Sequence, residues 1–389
     1  MFTKLKSYPL SRNVETTTQT GTKYIHYGDI HTKKAQKINN NSNIPYIENK
    51  QYELLEKGDI ILADASEDYQ GIAEPAVIVE NTDFKIVAGL HTIALRSNNS
   101  IPLYLYYLIK SSSFRMHGYR TGTGMKVFGI TADNVLKFET CYPRLEEQLK
   151  ISKTLDNMDQ LITLHQRKIN TLEAQKKAYL NVMFPKNKQT KPNLRFNRYI
   201  DEWEQRKLKE LAVIDTGKAF KSEYFHKEGA YLVVTNKNIR DQKHNIVSQG
   251  DRIDITESTV LNRYLLSGEN ILITMDGVHI GKSGRYSDDN SVLAQRVARI
   301  RSENISFVDQ VIQRNSFLRK MNKLSVGNAI KHISLKNISD YSLMAPTESE
   351  EKNNIGNFLE KLDIILSLYH SKLSILKQLK QVYLNKMFI

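Results

Sequence analysis

Gly277-Val-His-Ile-Gly281-Lys282-Ser283 is the stretch of this chain nearest to a catalytic signature, and the chemistry it would do is phosphate binding. A phosphate-cradling loop needs four residues between its glycines and a helix after the Lys-Ser pair. Here there are three, and Gly284-Arg285-Tyr286 follows where an apolar helix should begin. With the strand-like Ile271-Leu-Ile-Thr-Met275 ahead of it, the segment predicts a strand–turn–strand with a basic loop. Gly122-Thr-Gly124-Met-Lys126 is likewise no dinucleotide fingerprint. Methyl transfer to a base amino group needs an Asn/Asp-Pro-Pro-aromatic turn, and no Pro-Pro pair occurs. A nuclease metal site of the Pro-Asp type is missing too, since none of the eight prolines precedes Asp. The ten histidines lack zinc-ligand spacing, and Cys141 is the only cysteine. His26 and His31 read as packing residues. The expectation is a chain with no catalytic residues and no metal site.

The charge points to a partner instead. A net charge of +14 and a pI near 9.4 favour a polyanion, with nucleic acid the first choice and an acidic membrane surface the second. The longest apolar run, Leu103 to Ile109, is too short to span a bilayer. The N-terminal MFTKLKSYPLSRN has no apolar signal core, so a cytoplasmic protein without a membrane partner is expected.

The elements that would position the basic residues come from a duplication. Glu146 to Phe184 and Glu350 to Phe388 align without a gap, ending in Tyr-Leu-Asn-Val-Met-Phe184 and Tyr-Leu-Asn-Lys-Met-Phe388. Ile151, Leu155, Met158, Ile162, His165, Ile169, Leu172, Lys176, Tyr179 and Met183 recur at alternating steps of four and three. Ile355, Leu359, Leu362, Leu366, Tyr369, Leu373, Leu376, Lys380, Tyr383 and Met387 repeat them. That period predicts two long helices meeting along a coiled-coil seam, each about 55–60 Å long at 1.5 Å per residue. Lys176 and Lys380 interrupt the seam at matching places. They either snorkel at its rim or fix the register of the pair. Gly356, near the start of the second helix, costs about 1 kcal/mol relative to Ala.

The remaining blocks are mixed. The expected organisation is a mixed, β-leaning domain over 1–142, a helix over 145–184, a Pro- and Lys-bearing linker over 185–198, a second mixed domain over 199–344 and a second helix over 348–389. The mixed blocks echo each other. Tyr24–Ile30 resembles Tyr231–Ile239, Leu55–Leu62 resembles Leu265–Leu272, and Gly124–Thr131 resembles Gly327–Ser334. Phosphate contacts call for Lys, Arg and loop amides, and base reading for Arg, Lys, Asn or Gln. The candidates on the echoed loops of the first half are Lys33, Lys34 and Lys37 after the Tyr24–Ile30 strand, with Thr121, Thr123 and Lys126. Those of the second are Lys218, Lys221, Lys237, Asn238, Arg240, Lys282, Arg285, Asn328, Lys331 and His332.

Two divergent globular domains, each followed by a similar long helix, resemble the specificity subunit of type I restriction–modification enzymes. Trp203-Glu-Gln-Arg-Lys-Leu208, the glycine loops at 122–124 and 327, and the Tyr-Leu-Asn-x-Met-Phe helix ends carry the likeness. The resemblance implies an α+β fold with internal pseudo-twofold symmetry. In it, two mixed α/β target-recognition domains each precede a long helix, and the helices pair as an antiparallel coiled coil. It implies that each domain reads one half of a bipartite site in double-stranded DNA, with the helices as a ruler that docks two methyltransferase subunits. Nuclease–translocase subunits complete the complex. S-adenosylmethionine, ATP and Mg then belong to those partners, and this chain needs no cofactor. One departure stands out: the Trp203–Lys218 segment has no clear counterpart before Tyr24. Either the first domain starts differently or the chain is shorter at its N-terminus than its relatives. Two other readings are a basic coiled-coil scaffold, or an adaptor that binds DNA outside restriction and has no catalysis. An enzyme acting on DNA by itself is disfavoured by the missing motifs.

Overall fold

The computed structural model describes residues 2–186, 189–239, 249–277, 279–327 and 331–388. It comprises two compact units, Met1–His165 with Leu373–Ile389, and Gln166–Lys372. Each unit therefore holds the front part of one long helix and the rear part of the other. The helices themselves run Leu145–Val182 and Ser349–Lys386.

In the first unit a five-stranded sheet runs in the order Phe2–Leu5, Thr92–Ser97, Ile60–Ala63, Pro75–Ile78 and Lys37–Ile38, antiparallel except for the last pair. A four-stranded sheet beside it includes Thr22–Ile25, parallel to Lys85–Ala88. The sequence suggests a strand through Ile30, but the strand stops at Ile25 and a helix, Tyr27–His31, follows. The cause is local. His26 Nδ1 accepts the Gly28 N–H at 3.1 Å, and Asp29 accepts the His26 N–H, closing a capping box. Helix Pro102–Lys110 is buried along most of its length, with Tyr104, Tyr106 and Tyr107 in the core. Leu155, Leu384 of the second long helix and Phe388 just past its end belong to that same core.

In the second unit a six-stranded sheet runs Val213–Thr216, Val297–Arg301, Leu265–Thr274, Ser283–Leu293, Tyr231–Val234 and Arg252–Ile253. Val213–Thr216 pairs with Val297–Arg301 as Phe2–Leu5 pairs with Thr92–Ser97 in the first unit. The strand before it, Glu204–Lys207, makes a separate two-stranded sheet with Ser342–Ala345. Among the described residues the first unit has no counterpart of that small sheet. Trp203 is buried against Phe184 and Phe307, and its indole N–H donates to Glu351. The phosphate-loop mimic is a strand–turn–strand, with Ile273 opposite Ser283.

The helices pair antiparallel within each unit. In the second, Glu173 faces His370, Lys176 faces Asp363, and Tyr179 packs edge-on to Phe358 at 5.0 Å. In the first, Asp159 faces Lys380. Of the seam residues, Leu155, Met158, Ile169, Leu172, Ile355, Leu359, Leu366 and Leu373 are buried. Ile151, Ile162, Tyr179, Leu362, Leu376 and Tyr383 are half-buried. The shift that carries Glu146 onto Glu350 also carries Asp159 onto Asp363 and Lys176 onto Lys380. Each unit thus contains the same Lys–Asp pair with the two partners exchanged between helices. These lysines do not snorkel; they are ion-paired inside the seam. Gly356 also has a reason to be glycine: a Cβ there would lie 2.4 Å from the Phe307 nitrogen.

Candidate nucleic-acid interface

The last strand of each core sheet is entered through a residue in left-handed conformation. In the second unit that residue is Arg296, at φ 66°, just before Val297–Arg301. Its Nη1 donates to Asp276 Oδ2 at 2.7 Å, and His332 Nδ1 meets the other carboxylate oxygen. Burial raises the Asp276 pKa, but the hydrogen bonds from His332 and Arg296 outweigh it and hold the carboxyl below its ordinary range. In the first unit the equivalent residue is His91, at φ 55°, whose Nδ1 lies 3.1 Å from Asp64 Oδ1. Here burial wins and raises the Asp64 pKa in spite of His91. A left-handed non-glycine residue costs about 1–3 kcal/mol, while a solvent-accessible contact such as His91–Asp64 returns about 0–1 kcal/mol. Stability alone does not account for the arrangement at His91.

A seven-residue loop abuts each of these sites. Thr123 and Gly129 exchange backbone hydrogen bonds at 2.9 and 2.7 Å, and Val326 and His332 do so at 3.0 and 2.8 Å. The second position of each loop is glycine at positive φ, Gly124 at 122° and Gly327 at 109°. At Gly124 a Cβ would sit 2.0 Å from the Val127 carbonyl oxygen, so the turn admits nothing larger. The first loop holds up Met125, 96% exposed, beside the exposed Lys126 and Val127.

The basic candidates divide. Lys33, Lys34, Lys126, Lys221, Lys237 and Lys331 are exposed, as is Thr123 at the base of its loop. Lys221 meets Glu223 at 3.3 Å and the Tyr224 ring, both in the open. Lys218 and Lys282 are half-buried beside strand ends, at the Ala294 bridge and the turn before Ser283. The Thr121 hydroxyl donates back to the His117 carbonyl within its helix. Lys331 accepts the Gly277 N–H through its carbonyl, which brings the Gly277 turn to the Val326–His332 loop. Arg240 and Asn328 lie outside the described residues.

Three candidates need correction. Lys37 is no free cation: its Nζ lies 2.6 Å from Asp156, 3.0 Å from Asp159 and 2.7 Å from the Tyr107 hydroxyl. Arg285 is bound to Glu360 on the second long helix and to Ser306, near the buried Asp309. Asn238 is buried, and its amide caps the Thr235 turn and reaches the Gln249 carbonyl. The helix positions that hold Lys37 and Arg285 are equivalent, since Asp156 maps onto Glu360. These two residues attach each recognition domain to the helix. Sequence reasoning also missed Asp64, His91, Asp276 and Arg296, because nothing in residue type marks a left-handed backbone.

A family model for the type I restriction modification DNA specificity domain matches residues 11–174 and again 200–378. The chain belongs to that family. The specificity subunit of the type I restriction enzyme MjaVIII from Methanocaldococcus jannaschii is 24% identical to it over 315 residues, covering 75% of this chain and 71% of the relative. Among solved structures, the S subunit of a type I restriction–modification system from M. genitalium superposes with a TM-score of 0.63 at 15% identity, covering 100% of this chain and 94% of that one. A structure described as underlying complex assembly and conformational transition of the type I R-M system gives a TM-score of 0.50 at 16% identity over 93% and 90%. These likenesses establish the specificity-subunit fold of two recognition domains and two long helices. Among the described residues of this specificity chain, no three His, Cys, Asp or Glu side chains gather as a metal site. None of its described helices is long and apolar enough to cross a membrane.

Proposed function

We propose that this chain is the DNA-recognition subunit of a type I restriction–modification complex and reads a target in two halves, one per recognition domain. The observation that carries the reading is the repeat itself. One scaffold occurs twice, with the same strand entry, the same glycine-turned loop and the same helix attachment, while the exposed side chains differ. A scaffold kept constant beneath changed loops is what two base-reading surfaces of different preference require. The net charge of +14 suits the phosphate backbone.

The helices supply docking positions for two methyltransferase subunits. Leu161 and Leu164 are exposed on the first unit, and the repeat maps them onto Ile365 and Leu368, exposed on the second. Apolar side chains left open at equivalent helix positions fit two copies of one partner, which a nuclease–translocase subunit would then join. The chemistry, with S-adenosylmethionine, ATP and Mg, resides on those partners, and this chain is non-catalytic.

Methylome sequencing of cells with and without the gene tests the reading. The expected result is a split motif, two short half-sites with an unread gap, that disappears with the gene. A methylome unchanged by the deletion, in cells that carry active modification subunits, refutes it.

A further inference from the structure

The two left-handed residues at the sheet ends are the same position in two copies. In the first unit Thr22–Ile25 runs parallel to Lys85–Ala88, and three residues after Ala88 comes His91. In the second, Tyr231–Val234 runs parallel to Ser291–Leu293, and three residues after Leu293 comes Arg296. The next strand in each case pairs with the central strand, Thr92 opposite Ala63 and Val297 opposite Thr274. The backbone repeats as well. Asp64 N donates to His91 O and Met275 N to Arg296 O, both at 3.1 Å. Ile130 N donates to Asp64 O and Ile333 N to Met275 O, both at 2.9 Å. Yet the side chains differ, imidazole in one domain and guanidinium in the other.

Four non-glycine residues have positive φ among the described residues, Lys33, Ala73, His91 and Arg296, and two of them fall at this one equivalent place. Glycine would remove the strain. Instead each copy keeps a ring or fork of polar nitrogens and ties it to a carboxylate. Arg296 is 61% exposed while Asp276 beneath it is 7% exposed. Asp276 takes Nη1, and a guanidinium carries five N–H donors in a rigid plane. A fork oriented this way suits the O6 and N7 acceptors of guanine in the major groove. His91 presents a ring held through Nδ1 and packed edge-on to Tyr27 at 5.4 Å.

Resting on the recognition function proposed above, we infer that His91 and Arg296 are the equivalent base-reading residues of the two domains, with Asp64 and Asp276 positioning them. Each sets one base pair of its own half-site. Arg296 reads a guanine, and exchanging the residue at this position changes that one preference and leaves the other half-site alone.

The test uses the full-length chain and a library of duplexes with a randomised centre, selected at one stated salt concentration. His91→Gly and Arg296→Gly are suitable variants because both relieve the backbone strain. Fluorescence of Trp203, the only tryptophan, checks the fold of the second unit. The wild type is expected to select a split consensus. Arg296→Gly then loses about 5- to 150-fold of preference for guanine at one pair in one half, and His91→Gly loses its preference at one pair in the other. If both variants keep the wild-type consensus intact, the inference is wrong while the recognition function stands. A uniform fall in affinity for all sequences, with the log–log salt slope smaller by about one, marks a phosphate contact and also overturns it. A wild-type chain that selects no consensus overturns the recognition reading, and this inference with it.

Discussion

Replacing Lys176 by Met should open the second unit at its seam. The Lys176 and Asp363 side chains are only 4% and 2% exposed, and Gln310 Nε2, at 2.9 Å, is a neutral donor to the same carboxylate. Removing the ammonium breaks a buried ion pair from one side, which costs about 3–5 kcal/mol. The matching variant in the first unit, Lys380→Met, acts on a pair that is 18% and 25% exposed. Asp159 keeps Lys37 at 3.0 Å and the Tyr107 hydroxyl at 2.7 Å, so the loss there is about 1 kcal/mol. Urea unfolding of the full chain, followed by Trp203 fluorescence, reads the second unit, whose core contains both Trp203 and the start of the second helix. A loss of that size moves the midpoint down by about 1–2 M. Adding Asp363→Leu to Lys176→Met should return most of it, because an apolar pair of similar volume replaces an ion pair at little cost. The reasoning is refuted if Lys176→Met leaves the midpoint within error of wild type, since a lysine snorkelling at a rim would behave that way.

Gly356→Ala should lower the stability of the second unit by up to about 2 kcal/mol although alanine is the better helix former. Overpacking against a backbone costs about 1–3 kcal/mol and helix propensity returns about 1; the same fluorescence titration decides, and a stabilised variant would refute the close packing on Phe307. Lys33→Ala with Lys34→Ala should reduce the slope of log affinity against log salt by about two, measured by anisotropy on duplex DNA. Lys37→Ala should leave that slope unchanged and lower the thermal midpoint instead.

The helices and their seam were legible because a 3.5-residue period survives in both copies and because hydrophobic burial enforces it residue by residue. The echoes between the mixed blocks were legible for a similar reason. The Gly124 and Gly327 turns need glycine, and the core strands need β-branched residues. Lys37 and Arg285 were misread because an ion pair leaves no local trace. The partners Asp156 and Glu360 lie 119 and 75 residues away, so in sequence both cations look like surface loop residues. Gly356 looked like a mild defect in a helix, and the atom that demands it belongs to Phe307 on another element. His91 and Arg296 left no mark at all, since φ is set by the strands on either side rather than by the residue.

That division follows from what each kind of site tolerates. Asp159 pairs with Lys380 in one unit and Lys176 with Asp363 in the other, and Asp156 and Glu360 tie each helix to its own recognition domain. A one-sided change in such a pair leaves a charge without its partner, so after duplication both copies keep opposite charges at these positions. An exposed side chain on a fixed backbone answers to no such partner, and exchanging it costs within about 0.5 kcal/mol. His91 and Arg296 sit at the boundary between the two regimes. Their carbonyls accept the same backbone hydrogen bond in both units, from Asp64 N and from Met275 N, and their side chains differ. A position with that combination is where one scaffold can acquire two specificities without loss of stability, and here one copy presents an imidazole and the other a guanidinium.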